Sequence, residues 1–244
     1  MAAFLLIRHA QSTWNAGGRW QGQADPPLSE SGEASAARAA ERLACGPPFD
    51  LVITSDLTRA RRTGEILAAG GAMSGPTDLQ RRRSSEREAR LPASREGWAE
   101  SAADRRLPTM VVEPSLREFH VGAWSGLTRA EIEARWPNDL DLFDAGRLPA
   151  PPGGESRGDF DARVRGAALA VARMIRRHGA RRALVVTHGG VIRSLLRSSG
   201  LPERHVTNLA GYEGAAMTEG LCLDRPVDLL ERGEGALSGG PAIL

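Results

Sequence analysis

The chain contains no lysine: all 32 of its lysine-or-arginine positions are arginine. A Schiff-base lysine and a P-loop lysine are therefore excluded, and any phosphate must be held by arginine, histidine or backbone amides. Cysteine is nearly as scarce. Cys45 and Cys222 fit no Cys-x-x-Cys or zinc-ligand spacing, and two free thiols suit a reducing compartment. No apolar run is long enough to cross a bilayer. The opening Met1–Ile7 is too short for a signal core and is cut off at once by Arg8 and His9. These absences predict a cytoplasmic protein without a membrane partner. The formal charge is only +2, a balance that gives no reason to expect a nucleic-acid partner, which needs a clustered basic face.

What is present suits one α/β domain with a sizeable core. The 244 residues are 41% apolar and 25% charged, close to ordinary globular usage, so general disorder is excluded. Phe4-Leu5-Leu6-Ile7, Leu51-Val52-Ile53, Met110-Val111-Val112 and Ala183-Leu184-Val185-Val186 are short apolar runs that read as buried strands. A polar loop from Gln11 to Pro27 follows the first. Ser29 or Ser31 is placed to cap a helix running to about Ala44, stopped by Gly46-Pro47-Pro48. Further helices are expected around Leu57–Leu67, from Arg129 to Trp136, from Asp159 to about His178, and from Val191 to Ser199. Strands and helices alternate, so the expected fold is a mostly parallel sheet with helices on both faces. Residues 70–108 carry many arginines among Ser, Glu, Ala and Gly, and read as a solvated, partly disordered insertion or an exposed helix in preference to an anion-binding lid. After Gly211 the pattern is weak, with edge strands expected around Leu221–Leu223 and Val227–Leu229 and a frayed tail from Gly233.

The strands end in chemistry. The first delivers Arg8-His9, the second leads to Ser55 and Arg59, and the fourth ends at His188-Gly189-Gly190. Ligands of open α/β sheets bind beyond the carboxyl ends of the strands, so these groups should converge. Two arginines, two histidines and free amides at a helix start make a cradle for a phosphate dianion. A neutral imidazole is a competent nucleophile toward phosphorus, and adjacent guanidinium groups keep it neutral. The leaving alkoxide needs a proton, usually from a carboxyl group that later serves the attacking water as base. Glu118, just past the third strand, is the candidate. Taken singly, each piece has a plainer reading: a hydrogen-bonded structural histidine, a strand-to-helix turn, a surface arginine, a solvated carboxylate. Their joint occurrence in this order carries the argument.

Arg8-His9-Ala10-Gln11-Ser12 resembles the signature of the histidine phosphatase superfamily, with Ala10 where glycine is common. The resemblance continues through Trp14-Asn15, Gln21-Gly22, Asp25–Ser29 and Gly32, then Ser55–Ala60 with Thr63, Leu116–Gly122 with Trp124 and Gly126–Thr128, Gly153–Ser156, and Thr187–Gly190. It implies a phosphoglycerate mutase-like fold and a phosphohydrolase needing neither metal nor cofactor. His9 would be the phosphorylated nucleophile and Glu118 the proton donor. Arg8, Asn15, Arg59, His188 and Gly189 would bind phosphate, and Gln21 and Gly22 would line the mouth. The substrate would be a small phosphorylated metabolite.

A cofactor-dependent phosphoglycerate mutase is the alternative within that superfamily. Three features favour hydrolysis by resemblance: Gln21-Gly22-Gln23 in place of the mutases' Thr-Gly-Trp, Phe119–Trp124 in place of Arg-His-Tyr-Gly, and the missing lysine. The arginine-rich insertion also precedes Glu118, whereas the mutases' clamp follows the acid. A non-catalytic phosphate-binding protein would need no acid at Glu118. A metallohydrolase would carry a His-x-x-x-His or carboxylate cluster, which the sequence lacks. The substrate is not legible, and Trp98 and Trp136 leave core packing and a homodimer interface equally open.

Overall fold

Leu5 and Ile7 point to one face of strand β1 (Ala2–Arg8) and Phe4 and Leu6 to the other, and all four are buried. A strand covered on both faces needs such a continuous apolar run. The computed structural model describes residues 2–73 and 107–230. Residues 74–106 of the arginine-rich insertion, Trp98 among them, and the tail from 231 lie outside the described residues.

Strands β2 (Leu51–Thr54), β3 (Thr109–Val112) and β4 (Arg182–Thr187) join β1 in a parallel block, as β4 pairs with both β1 and β2, and β2 with β3. Two further strands, β5 (Ala210–Met217) and β6 (Gly220–Asp228), extend the sheet antiparallel, giving the order β3-β2-β4-β1-β5-β6. Helices α2 (Glu30–Leu43) and α3 (Thr58–Met73) cover the face of Leu5 and Ile7; α6 (Arg157–Arg177) and α7 (Gly189–Ser198) cover the face of Phe4 and Leu6. Phe160, Val164, Val171 and Ile175 of α6 recur at helical spacing and are buried there. Ser29 caps α2, accepting from the Gly32 amide at 3.0 Å. The expected mostly parallel sheet with helices on both faces is therefore observed.

Several local expectations change. The Gln11–Pro27 loop contains a short helix, α1 (Thr13–Ala16), because Ser12 and Asn15 form a reciprocal capping box. Helix α3 continues through Gly70 to Met73, past the point where the insertion was expected to begin. The helix at Arg129 (α4, Arg129–Arg135) is followed by an unforeseen short one, α5 (Asp139–Asp144). Helix α7 starts at Gly189 rather than Val191. The two weak edge strands are one continuous β6, and it pairs with β5, for which no strand was expected. Trp136 packs against the main core.

Candidate active site

Registers fix the site. Arg8 stands beside Thr187 and Thr54 beside Val186, so the residues that follow β1, β2 and β4 emerge together at one edge of the sheet. His9 and His188 meet there, with ring centroids 5.1 Å apart, and both are buried.

The tautomer of His9 follows from its neighbours. Its Nδ1 lies 2.6 Å from the Ala10 carbonyl, which can only accept, so Nδ1 carries the proton. Nε2 then holds the lone pair, and Arg59 Nε donates to it at 3.3 Å. Burial lowers the His9 pKa well below 6.5, and the charges of Arg59 and Arg8 push in the same direction. The imidazole is neutral, with its lone-pair nitrogen turned toward the guanidinium of Arg59. Asn208 holds the backbone from the other side, donating to the His9 carbonyl at 2.8 Å.

Arg59 is fully buried, and its outer nitrogens donate to the carbonyls of Ala24 (2.7 Å) and Gly22 (2.8 Å). Arg8 donates to Val206 O at 2.8 Å, while its Nε is buried without a partner. Burial lowers both guanidinium pKa values to about 10, which leaves both cations intact at neutral pH. Both ring nitrogens of His188 are buried and unpartnered, and burial, then Arg59, His9, Arg8 and Arg163, lower its pKa well below 6.5. Unpartnered buried donors beside two cations suit an anion that arrives with the substrate. Gly189 opens α7, where its amide has no intrahelical acceptor. Asn15 Oδ1 accepts from the Ser12 amide at 3.2 Å, so the group Asn15 could offer an anion is its side-chain amide nitrogen. Gln21 is buried, its Oε1 accepting from Ser12 Oγ at 2.7 Å.

Glu118 reaches the same place from the loop after β3. Its Oε2 accepts from the Gly190 amide at 3.1 Å and its Oε1 from the Phe119 amide at 2.9 Å. The loop is anchored by Arg163, which donates to the carbonyls of Ser115 and Arg117 at 2.8 Å each and of Glu118 at 3.2 Å. Arg163 is itself held by both oxygens of Glu155, at 2.9 and 2.8 Å. Arg117 pairs with Asp56, tying the acid loop to the turn after β2.

Every residue expected to carry chemistry therefore gathers here, Gln21 and Gly22 on the α1 side. Arg163 and Asn208 were missed. Arg163 flanks the apolar stripe of α6, with its guanidinium 5.1 Å over the Phe160 ring, and only its three-residue spacing from Phe160 hinted at an inward role. Asn208 belongs to no motif. Among the described residues no group of His, Cys, Asp and Glu has the arrangement of a metal site, and no helix is long and apolar enough to cross a membrane.

The family model described as the histidine phosphatase superfamily (branch 1) matches residues 4–81 and 96–219. A glucosyl-3-phosphoglycerate phosphatase from Mycobacterium tuberculosis is 33% identical over 223 residues, 88% of this chain and 83% of that protein. A 2,3-bisphosphoglycerate-dependent phosphoglycerate mutase from Methylobacterium sp. is 31% identical over 232 residues, 93% of this chain and 95% of that one. The solved structure of a mycobacterial glucosyl-3-phosphoglycerate phosphatase with VO3 superposes with a TM-score of 0.67 at 28% identity, covering 92% of this chain and 98% of that one.

Proposed function

The chain belongs to the histidine phosphatase superfamily, and on that premise we propose that it hydrolyses phosphomonoesters by passing the phosphoryl group to His9 Nε2 and then to water. One observation carries the reading. A buried, neutral His9 offers its Nε2 lone pair to a pocket walled by two guanidinium groups and a histidine without partners.

In the first step His9 Nε2 bonds to phosphorus as the ester P–O bond breaks. The incoming phosphoryl oxygens take over the Arg59 N–H that Nε2 holds at rest, and Arg8, His188, Asn15 and the Gly189 amide bind the remaining oxygen charge. Protonated Glu118 gives its proton to the departing alkoxide. In the second step water attacks phosphorus, its proton passes to the Glu118 carboxylate, and the N–P bond breaks to release inorganic phosphate. No step draws on a metal. The substrate is a small phosphorylated metabolite met by a cytoplasmic enzyme, with neither nucleic acid nor membrane involved.

The mutase relative favours one other outcome, return of the phosphoryl group to a bound phosphoglycerate. Turnover of alkyl and aryl phosphates, 3-phosphoglycerate included, in excess chelator for wild type and His9→Ala separates the two. Hydrolysis predicts phosphate release that survives chelation and disappears in His9→Ala. Phosphorylation of His9 by a bisphosphoglycerate with no release from any compound would move the assignment to the mutase.

A further inference from the structure

Arg163 uses all five of its N–H groups: two go to the oxygens of Glu155, at 2.9 and 2.8 Å, and three to the carbonyls of Ser115 and Arg117 (2.8 Å each) and Glu118 (3.2 Å). Three carbonyls between Ser115 and Glu118 thus converge on one guanidinium, and the backbone that carries the acid takes its course from α6. Glu155 extends the hold past the acid. Its Oε2 accepts from the His120 amide at 3.2 Å, and its own amide donates to the His120 carbonyl at 2.8 Å. The carboxylate end of Glu118 is fixed separately, by the amides of Gly190 and Phe119.

The element that makes these bonds is well anchored. Arg163 stands on α6 beside Phe160 and Val164, both buried, with its guanidinium 5.1 Å over the Phe160 ring. Ser156 caps the helix, accepting from the Asp159 amide at 3.1 Å. The Arg163–Glu155 pair is neutral as a whole, so it fixes the loop without adding net charge beside the acid. Two further ties do not involve Arg163 and remain when it is replaced: Gln23 Nε2 donates to the Glu118 carbonyl at 3.2 Å, and Arg117 pairs with Asp56. A catalytic group displaced by about 1 Å loses on the order of 100-fold in rate, so fixing this backbone bears on the chemistry.

We propose that Arg163, held by Glu155, is a positioning residue for the reaction: it touches no substrate and sets where Glu118 hands over its proton. The inference rests on the phosphomonoesterase reading, in which Glu118 is the acid. A double-mutant cycle with Glu118→Gln separates positioning from plain structural support. Arg163→Met lowers kcat on an alkyl phosphate by about 10- to 100-fold and on an aryl phosphate distinctly less, with KM little changed. In the Glu118→Gln background the same substitution lowers kcat by less than about 3-fold, although thermal stability falls equally in both backgrounds. Equal losses of kcat in the two backgrounds, or for the two leaving groups, would reduce Arg163 to a structural residue. An unaltered kcat would overturn the proposal as well. If Arg163→Met does not fold, Glu155→Gln runs the same cycle, since it removes the charge and leaves one side-chain oxygen to accept. Its smaller loss on the alkyl ester should again vanish beside Glu118→Gln, and a loss that persists there counts against positioning. If wild type releases phosphate from neither ester, the hydrolase reading fails, and the Gly190 amide proton resonance decides the placement alone. It shifts upfield in Arg163→Met, as in Glu118→Ala, where Arg163 sets the carboxylate, and stays unmoved where it does not.

Discussion

The amide of Gly190 and the carboxylate of Glu118 meet at 3.1 Å across the start of α7, so closely that a Cβ on residue 190 would lie 2.1 Å from Glu118 Oε1. The second glycine of His-Gly-Gly therefore makes room for the acid, while the first lies against Arg8. Gly190→Ala should move the carboxylate without removing it. The expected result is a kcat reduced about 10- to 100-fold on alkyl phosphates, the scale of a misplaced proton donor. Turnover of an alkyl and an aryl phosphate, with a thermal melt to confirm folding, checks this. An unaltered kcat on the alkyl ester would show that the acid is not needed where Gly190 holds it.

Removing the acid outright sharpens the same point. Glu118→Gln keeps one of the two backbone-amide hydrogen bonds that the carboxylate oxygens accept, and it has no acidic proton to give. Alkyl phosphates, whose alkoxides leave poorly, should lose about 100-fold or more in kcat/KM, and aryl phosphates distinctly less. An equal loss for both leaving groups would assign Glu118 another role.

Much of this site was legible because strand ends announce themselves. Phe4–Ile7 and Ala183–Val186 are unbroken apolar runs, and each stops at an ionisable residue, Arg8 in one case and His188 two residues on in the other. Of the antiparallel extension only β6 left a signal, as two weak edge strands, and β5 left none. Strand β5 reads Ala-Gly-Tyr-Glu-Gly-Ala-Ala-Met, with two glycines and three alanines, which is poor strand composition. Those glycines are there for close approach: a Cβ at Gly211 would meet the Leu6 carbonyl at 1.8 Å, and one at Gly214 the Cys222 carbonyl at 2.1 Å. Arg163 and Asn208 were hidden for a related reason. Both act through backbone carbonyls, and a carbonyl has no residue type for a sequence to reveal.

Arg59 has two duties that a lysine cannot share. Its outer nitrogens fasten the Gly22 and Ala24 carbonyls while Nε faces His9. Arg59→Lys keeps one charge but loses the fork, leaving buried acceptors unpaired. Stability should fall by about 1–3 kcal/mol and kcat/KM by about 100- to 1000-fold. KM should rise as well if the Gly22 carbonyl that Arg59 holds lines the mouth, as the family resemblance implies. Denaturant melts and steady-state kinetics measure the two effects separately, and a variant losing stability with undiminished kcat/KM would remove Arg59 from the phosphate site.

The buried histidines predict how stability depends on pH. Burial, reinforced by the surrounding arginines, lowers the pKa values of His9 and His188 well below the ordinary 6.5, and burial lowers that of His205 as well. In the unfolded chain these imidazoles take up protons as pH falls through about 6.5, whereas the folded His9 and His188 do not until the pH is far lower. Protonation then favours the unfolded state, so stability is full above about pH 6.5 and declines below it. Each fully shifted histidine contributes a slope approaching about 1.4 kcal/mol per pH unit, and His9 and His188 together about 2.7. The depressed carboxylates Asp56, Glu33 and Glu131 start from 3.8 to 4.5, so their losses belong to a more acidic range. Urea melts at pH 7.5, 6.5 and 5.5 isolate the histidine window, and His188→Gln should remove about half of the slope. Stability that stayed level from pH 6.5 to 5.5 would mean that His9 and His188 titrate as ordinary imidazoles, and the neutral nucleophile would lose its electrostatic basis.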